Sequence, residues 1–260
     1  MPRIQQPAKI NVDLGEAFGN WKMGPDDELL PLIDHANVAC GFHGDPVTMM
    51  ETIRKAKKYG VKVGAHPGLP DLVGFGRRVM DITPDEAYAI TVYQVNALKG
   101  FLEAEGMTLH HVKPHGVFYA MMMKNYDIAL AVCRAIPKGV PIFLHTDTLT
   151  EKAAKELGVP YIAETCVDIR YGNGGVPVVN RRMSPWKKEE IQYNINNVME
   201  NCQVDTVEGG KYDFPLANHE VTICAHSDTP GALEVVKAMR ESVDEFNAKY
   251  FPDFKRNSSI

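Results

Sequence analysis

Short apolar runs that end in a histidine or an acid recur along this chain, and this recurrence is the feature that most constrains its fold. Seven segments share the pattern: 10–13, 36–43, 61–66, 110–115, 141–145, 161–164 and 221–226. Each predicts a buried strand that leads into an ionisable side chain. Because parallel strands direct their carboxyl ends to the same side, we expect these ionisable groups to gather at one face of a sheet.

Helical segments separate the predicted strands. Apolar residues at helical spacing predict a helix from Pro46 to Gly60, and a capping box at Thr83 and Glu86 begins a long helix that reaches Glu105. Further helices are predicted over 126–136, 148–157, 185–202 and 230–250. Strands that alternate with helices indicate a parallel sheet.

The alternation predicts an α/β fold in one domain that spans residues 1–260. Seven strands favour a seven-stranded parallel (β/α) barrel, a distorted relative of the TIM barrel. An open doubly wound sheet is the alternative, but such a sheet concentrates its chemistry at one switch point, whereas nearly every strand here ends in a polar group. Residues 172–218 do not follow the alternation of strands and helices. They are predicted to form a hairpin-bearing insertion near the barrel mouth.

Charge and cysteine content narrow the classes of function. The chain carries 33 acidic and 28 basic residues, a net charge of -5, which lacks the basic field that holds a nucleic-acid backbone. Five scattered cysteines without a CxxC pair indicate reduced thiols and a cytoplasmic protein. No apolar run is long enough to span a bilayer, and the first residues lack the apolar region of a secretory signal. We therefore expect neither a nucleic-acid partner nor a membrane association.

The first two strands lead into candidate catalytic groups. Asp13 and Glu16 follow the first strand, where two carboxylates can bind a metal or act as a base and its partner. The structural alternative for this pair is a helix N-cap and a surface acid. His43 lies between glycines after the second strand and suits a metal ligand or a general base. Asp45, directly before Pro46, is explained as a helix N-cap.

The third strand ends at His66 and is followed by a glycine-rich loop that ends in Arg77 and Arg78. Guanidinium groups match the geometry of carboxylates and phosphates, so these arginines are candidate anion clamps. One of the two is expected to be only a solvated surface group.

Histidines are densest between His110 and His115. Lys113 is expected to face the barrel interior, where burial would lower its pKa and make it a usable acid or base. His115 is a candidate metal ligand, whereas His110 is expected to be solvated. His226 ends the last strand and is the candidate functional residue there. A divalent-metal site is predicted from one acid and two histidines, namely Asp13, His66 and His115.

Several nucleotide-binding and hydrolase motifs are absent from the sequence. It contains no phosphate loop, no dinucleotide-binding glycine fingerprint after a strand, no serine hydrolase elbow and no HExxH zinc motif. Any ATP that the reaction uses is therefore expected to bind to another polypeptide.

Five long motifs together resemble the LamB/YcsF family, which includes the A subunit of prokaryotic 5-oxoprolinase and proteins of lactam-utilisation clusters. The motifs are residues 11–21, 36–45, 64–78, 111–116 and 224–230. The resemblance covers nearly the whole chain and implies a barrel of the glycoside hydrolase and deacetylase type. It also implies ATP-dependent opening of 5-oxo-L-proline, or a related lactam, to the amino acid, together with separate B and C subunits.

The resemblance carries over to individual positions. The matching motif positions are Asp13, Glu16, His43, His66, Lys113, His115 and His226. We expect catalytic roles for Asp13, Glu16, Lys113 and His115. Substrate binding is expected of His43, Arg77, Arg78, Asp168, Arg170 and His226.

Two segments depart from the bacterial pattern of this family. Residues 144–149 replace an expected glycine-containing segment. In residues 164–171, Glu164, Asp168 and Tyr171 keep register with the expected Ala-Asp-Arg-x-Tyr sequence, but the arginine moves to position 170. Both segments lie at the predicted barrel mouth, where a substrate would bind. The sequence therefore constrains the identity of the substrate less than it constrains the family.

Three functions remain open from the sequence. In a hydrolase acting on a cyclic amide, Asp13 or Glu16 would activate water and Lys113 or a histidine would protonate the leaving nitrogen, while an arginine held a substrate carboxylate. A metal-dependent deacetylase of an N-acylated sugar or amine is the second possibility. A non-catalytic binding subunit is the third.

Overall fold

The computed structural model describes residues 3–178 and 184–256, and part of the predicted insertion at 172–218 lies outside the described residues. Its main sheet has six strands: β1 (Lys9–Leu14), β2 (His35–Ala39), β3 (Lys62–His66), β4 (Ile142–Leu144), β5 (Tyr161–Cys166) and β6 (Val221–His226). Every neighbouring pair is parallel, in the order β3-β2-β1-β6-β5-β4. The α/β class with a parallel sheet is confirmed.

The strand order follows the chain cyclically rather than reversing at a switch point. Starting from β1, the sheet continues on one side through β2 and β3 and on the other through β6, β5 and β4. A doubly wound sheet of the dinucleotide-binding type has the order 3-2-1-4-5-6. The open doubly wound alternative therefore does not describe this sheet, which is curled and parallel.

The fourth predicted strand, residues 110–115, forms isolated bridges instead of a ladder. Val112 makes a parallel bridge to Ala65 of β3 and another to Ile142 of β4, the two edge strands. Pro67 and Pro114 explain why the pairing stops there, because each lacks the N–H that the next ladder bond would require. The seven-stranded closed barrel stays a prediction.

The described residues include eight α-helices: α1 (Asp26–Leu29), α2 (Pro46–Tyr59), α3 (Pro84–Ala104), α4 (Gly116–Lys124), α5 (Tyr126–Ala135), α6 (Leu149–Leu157), α7 (Lys188–Asn201) and α8 (Ala232–Tyr250). The predicted end signals are confirmed. Asp45 caps α2, Thr83 and Glu86 form the capping box of α3, and Gly60 and Gly158 end α2 and α6 in the left-handed conformation. The sequence did not predict α4, because its residues are apolar on most sides and show no helical period.

Short antiparallel pairs of strands lie outside the main sheet. They are Ala17–Phe18 with Trp21–Lys22, Arg170–Gly172 with Val176–Val178, and Gln203–Asp205 with Lys211–Asp213. The helix α7 lies between the last two pairs in the chain, and its Ile191, Ile195 and Met199 belong to the same hydrophobic cluster as the sheet. The assignment of residues 172–218 as an insertion in a single domain stays a prediction. Across the described ranges, no helix is both long enough and apolar enough to cross a bilayer.

Gly64 tests the packing inside the sheet. A Cβ atom at this position of β3 would lie 2.2 Å from Nε2 of the buried His111. We expect Gly64→Ala to lower the free energy of unfolding by about 1–3 kcal/mol, the usual range for overpacking. Gly100→Ala is the control, because a Cβ there in α3 meets nothing within 4 Å and should raise stability by up to about 1 kcal/mol. Urea denaturation measures both variants, and equal stabilities would contradict the packing described here.

Candidate active site

A cavity of about 520 Å³ opens at the carboxyl ends of the sheet strands. Its polar lining includes groups that end or follow the strands: Asp13, Lys113, His115, Glu164, Cys166 and His226. Its apolar lining includes Val79, Val117, Ala120, Ile169, Pro177 and Val178. Two residues expected to share this cavity, His43 and His66, are fully buried behind it and contact the ring of His115.

Asp13 is the centre of the polar network at the end of β1. Its Oδ1 atom accepts hydrogen bonds from Lys113 Nζ at 2.8 Å and from Asn37 Nδ2 at 2.7 Å. Its Oδ2 atom lies 3.2 Å from His66 Nε2. Burial alone would raise the pKa of this carboxyl, but His66 and Lys113 hold that pKa well below its usual range. Asp13 is therefore ionised at neutral pH.

Lys113 uses all three of its N–H groups. They donate to Asp13 Oδ1 at 2.8 Å, to Asn11 Oδ1 at 3.4 Å and to Cys224 Sγ at 2.9 Å. The prediction of a lowered pKa is wrong. Burial does act in that direction, but Asp13 and, to a smaller degree, Glu164 outweigh it and raise the pKa of Lys113 well above its ordinary value. These carboxylates come from β1 and β5, so the sequence around Lys113 gives no sign of them.

Pro67 fixes the orientation of His66. The Lys113 N–H donates to the Ala65 carbonyl at 2.8 Å, and the next donor in this parallel pattern would be residue 67. Proline has no N–H, so the Lys113 carbonyl instead accepts from His66 Nδ1 at 2.6 Å. The His66 ring therefore carries a proton on Nδ1 and directs Nε2 toward Asp13 Oδ2 and His115 Nδ1.

His115 is oriented in the same manner. Its Nε2 donates to the Phe75 carbonyl at 2.7 Å, and Phe75 holds a left-handed backbone (φ 55) that is strained for a bulky residue. His115 Nδ1 then lies 3.0 Å from His66 Nε2 and 3.2 Å from Glu16 Oε1. Two ring nitrogens that both present lone pairs repel each other at this distance. A proton or a cation between them would remove the repulsion.

His43 and Glu16 complete this cluster. His43 Nε2 lies 3.4 Å from Glu16 Oε1, and within the described residues neither ring nitrogen of His43 nor that oxygen has a hydrogen-bond partner. Burial lowers the pKa of His43 to about 3, so its ring is neutral. Burial would raise the pKa of Glu16, but contacts with His115 and His43 hold it well below the ordinary value.

Four ligand atoms of this cluster suit a divalent cation. One atom each from Glu16, His43, His66 and His115 lie within 4.8 Å of one another. Imidazole nitrogens and a carboxylate oxygen are the ligands of catalytic zinc sites, and backbone carbonyls that fix the histidine tautomers are the usual outer support. The predicted metal set shares His66 and His115 with this group. The assignment of Asp13 as a metal ligand stays a prediction.

His226 and Asp168 form a second charged pair at the cavity. His226 Nδ1 lies 2.9 Å from Asp168 Oδ1, and Asp168 Oδ2 accepts from the His226 backbone N–H at 2.8 Å and from Thr229 Oγ1 at 2.7 Å. Burial would lower the pKa of His226, but Asp168 and then Asp13 raise it to about 10. The imidazolium places Nε2 at 3.8 Å from Asp13 Oδ2. His226 is thus a cation that faces the cavity.

The arginines divide between the cavity and the surface. Arg77 lines the cavity and contacts both Asp228 oxygens, at 2.5 and 2.9 Å. Arg78 is the surface member of the pair, because its half-exposed guanidinium bonds Asp71. Arg170 is also exposed, and its guanidinium stacks over the Trp186 ring at 5.0 Å. The substrate-binding roles expected of these arginines stay predictions.

Four further side chains line the cavity without having been assigned from the sequence: Tyr119, His145, Glu164 and Cys166. Glu164 ends the predicted sixth strand, and this position was the available signal for it. Tyr119 lies in the unpredicted α4, which begins at Gly116 directly after His115, and its side chain lines the cavity. Cavity lining by α4 depends on packing that no local pattern reveals.

Comparisons with known proteins agree with the resemblance. A model of the LamB/YcsF family matches residues 8–257. The lactam utilization protein lamB of Emericella nidulans is 51% identical over 251 residues, 96% of this chain and 99% of that protein. The A subunit of 5-oxoprolinase from Thermus thermophilus is 39% identical over 243 residues, 91% of this chain and 95% of that protein.

The fold has a solved counterpart. The crystal structure of the lactam utilization protein from Thermus thermophilus superposes with a TM-score of 0.83 at 37% identity and covers 92% of this chain and 97% of that one. A protein of Enterococcus faecalis V583 described as a putative cellobiose-phosphate cleavage protein has a TM-score of 0.51 at 14% identity, over 94% of this chain and 95% of that one. This second likeness concerns the fold alone.

The His226–Asp168 pair makes a testable contribution to stability. The pKa of His226 rises from 6.5 to about 10 in the folded chain, so its stabilising effect is complete below pH 6.5 and is lost as the pH rises to about 10. We expect the difference in unfolding free energy between the wild type and His226→Asn to shrink over this range. Urea denaturation at several pH values measures it. A difference that stays constant with pH would contradict the assignment.

Proposed function

Because this chain belongs to the LamB/YcsF family, we propose that it is a hydrolase subunit that opens a cyclic amide, 5-oxo-L-proline or a related lactam, to the amino acid. Relatives named as the A subunit of 5-oxoprolinase and as a lactam utilization protein support this proposal. The observation that carries it is the buried Asp13–Lys113 pair at the cavity, with a nitrogen–oxygen distance of 2.8 Å. The Glu16 cluster lies behind this pair and reaches the cavity through His115.

Hydrolysis of an amide requires an activated water and a proton for the leaving nitrogen. Lys113 stays protonated and lines the cavity. Its longest hydrogen bond, 3.4 Å to Asn11 Oδ1, is the one that it gives up to donate a proton to that nitrogen. Asp13 is ionised and holds Lys113 in place. When no cation is bound to its cluster, Glu16, with its unpaired Oε1 atom, is the group that accepts a proton from water. His226, as an imidazolium, stabilises negative charge that develops on the carbonyl oxygen.

The Glu16 cluster also fits a divalent metal, because it combines three imidazoles with an unpaired carboxylate oxygen. We propose Glu16, His43, His66 and His115 as the residues that would hold it. A bound cation would polarise the carbonyl and lower the pKa of water. The carbonyls of Lys113 and Phe75 would keep the rings of His66 and His115 aimed at this point.

We propose that ATP acts through partner subunits of the B and C type, since the sequence lacks a phosphate-binding loop. A lactam is a poor electrophile, and ATP cleavage on a partner would supply the free energy for its activation. We also propose that the sheet closes into a seven-stranded barrel through the bridges of Val112. The cytoplasmic location is a further proposal, which rests on the scattered cysteines.

The deacetylase alternative is favoured by one observation, the four-ligand Glu16 cluster. It differs from the leading proposal in its substrate and its independence from ATP. Metal analysis of the purified chain, followed by assays of N-acylated sugars and of 5-oxo-L-proline, separates the two. Release of acetate by the chain alone, without ATP or partners, would favour the deacetylase.

Asp13→Asn tests the catalytic assignment in the active assembly with its partner subunits. We expect its kcat for 5-oxo-L-proline to fall by about 10²-fold or more, because the ion pair that holds the proton donor is lost. Arg78→Ala is the comparison, and it should affect turnover less because this arginine pairs with Asp71 at the surface. Full turnover by a folded Asp13→Asn protein would remove Asp13 from the mechanism and favour a non-catalytic binding role.

Nucleotide binding by the isolated chain tests the proposal that ATP binds to the partner subunits and not to this chain. We expect no tight binding of Mg-ATP, because no phosphate-binding loop is present in the sequence. Weak phosphate binding near Arg77 is compatible with a phosphorylated intermediate delivered by a partner. Calorimetry with Mg-ATP is the measurement. Micromolar binding that depends on the adenine base would show that the nucleotide site lies on this chain.

A further inference from the structure

We propose that Glu164 and Tyr119 form the subsite that binds the cyclic amide group of the substrate, with His145 as a positioning residue. This inference rests on the proposed lactam function and deepens it. All three side chains line the cavity. Neither Tyr119 nor His145 nor Glu164 was assigned a role by the sequence motifs.

The three side chains share buried polar atoms without partners. Within the part of the chain that the structure describes, no well-aligned hydrogen bond reaches Tyr119 Oη, His145 Nδ1, or either carboxyl oxygen of Glu164. The Tyr119 hydroxyl and the Glu164 carboxyl are nevertheless close enough to interact directly, so a ligand would bind between two neighbouring groups. Buried polar groups in folded proteins are nearly always hydrogen-bonded, and an unpaired one destabilises the fold. A group of such atoms on the wall of a cavity therefore indicates a ligand that pairs with them.

Lys113 does not satisfy Glu164, although the two are close. Lys113 Nζ lies 3.2 Å from Glu164 Oε1, but its three N–H groups already donate to Asp13, Asn11 and Cys224. Burial raises the pKa of the Glu164 carboxyl, and the charge of Lys113 only partly opposes this shift. No hydrogen bond from Lys113 reaches the carboxyl oxygens. These oxygens remain available to accept an N–H from a ligand.

Tyr119 supplies the opposite hydrogen-bonding function. Burial, and then the nearby Glu164 carboxylate, raise the pKa of Tyr119 well above its ordinary value. Its hydroxyl therefore keeps its proton and can donate it to a carbonyl oxygen. The ring of His145 lies against Tyr119 edge to face, with 5.5 Å between the ring centroids, and so restricts the orientation of the tyrosine ring that carries the hydroxyl.

An acceptor beside a donor matches the edge of a lactam. In a small ring the amide is held cis, so its N–H and its C=O project from the same side. Glu164 would accept the N–H while Tyr119 donated to the carbonyl. An open-chain secondary amide is trans and projects these groups from opposite sides, so it cannot pair with both residues. The subsite would thus select cyclic amides with a free N–H.

The position of the subsite agrees with the proposed chemistry. A nitrogen held at Glu164 Oε1 would lie close to Lys113 Nζ, which is 3.2 Å from that oxygen. Lys113 is the proton donor in the proposed ring opening. Amide recognition and protonation of the leaving nitrogen would then occur at adjacent atoms.

Calorimetry on the isolated full chain tests the subsite with γ-butyrolactam and 5-oxo-L-proline as probes. N-methyl-γ-butyrolactam lacks the N–H, and N-methylacetamide is a trans amide. We expect Tyr119→Phe and Glu164→Leu each to weaken lactam binding by about tenfold or more, as loss of a buried hydrogen bond does. Glu164→Gln keeps an acceptor oxygen and should retain part of the affinity. Tyr88→Phe, at an exposed tyrosine of α3, is the matched control.

Coupling between ligand and residue gives the sharpest outcome. We expect the N-methyl lactam to bind the wild type about tenfold more weakly and Glu164→Leu to weaken it no further, because the same hydrogen bond is removed twice. Additive losses would overturn the pairing with Glu164. Tyr119→Phe should leave the thermal midpoint unchanged or raised, since its hydroxyl is unpaired in the described structure. A lowered midpoint would show a structural role instead and overturn the proposal for Tyr119.

Failure of the subsite and failure of the proposed function give different results. If the wild-type chain binds neither lactam, or if both variants bind lactams as tightly as the wild type, the subsite is wrong. The proposed function is wrong only if the chain, assembled with its partner subunits and ATP, opens no lactam. Turnover that is unaffected by Tyr119→Phe in KM and in kcat would reject the subsite and leave the function standing.

Discussion

The buried ion pair between Asp13 and Lys113 is the interaction on which the rest of the site depends. Two charges removed from water are tolerated only when they pair closely and their remaining donors and acceptors are satisfied. Asn37 donates a hydrogen bond to the same oxygen of Asp13 that Lys113 does. Asn11 and Cys224 accept the other two hydrogen bonds of Lys113. This pairing keeps both groups ionised inside the sheet. Every other charged group at the cavity is arranged around a fixed anion and a fixed cation.

Two prolines interrupt the backbone pairing between residues 110–115, the fourth predicted strand, and its neighbours in the sheet. Pro67 withholds a backbone N–H, and the carbonyl it would have bonded accepts from His66 instead. Pro114 likewise withholds a donor on the side of β4, where Val112 bridges to Ile142. The backbone N–H groups of Lys113 and His115 still bond the carbonyls of Ala65 and Pro67, and these bonds hold both residues at the cavity. A regular strand would have used the Lys113 carbonyl in its own ladder instead of leaving it to His66.

The sequence predicted the parts of this site that follow from local pattern. Strand ends, the cap at Asp45 and the interior position of Lys113 could be read from apolar runs and turn residues. The direction in which the pKa of Lys113 shifts could not be predicted, because it depends on carboxylates that β1 and β5 bring from distant parts of the chain. The division between Arg77 and Arg78 was likewise set by tertiary partners, Asp228 and Asp71. Tyr119 was not predicted because the apolar residues of α4 show no helical period, so the helix itself was not predicted.

Buried polar atoms with hydrogen-bond partners and buried polar atoms without them lie in different parts of the site, which indicates different roles for those parts. Asp13, Lys113 and Asp168 have close partners in the protein and form a rigid charged frame, which is a requirement for preorganised catalysis. Unpaired atoms in the described residues occur at Glu16 with His43, and again at Glu164 with Tyr119. An unpaired buried atom costs stability unless a ligand completes it, and Lys113 lies between these two patches through its contacts with Asp13 and Glu164. A water or cation beside Glu16 and His43, and an amide beside Glu164 and Tyr119, would therefore lie on either side of Lys113. Lys113 is the proposed proton donor.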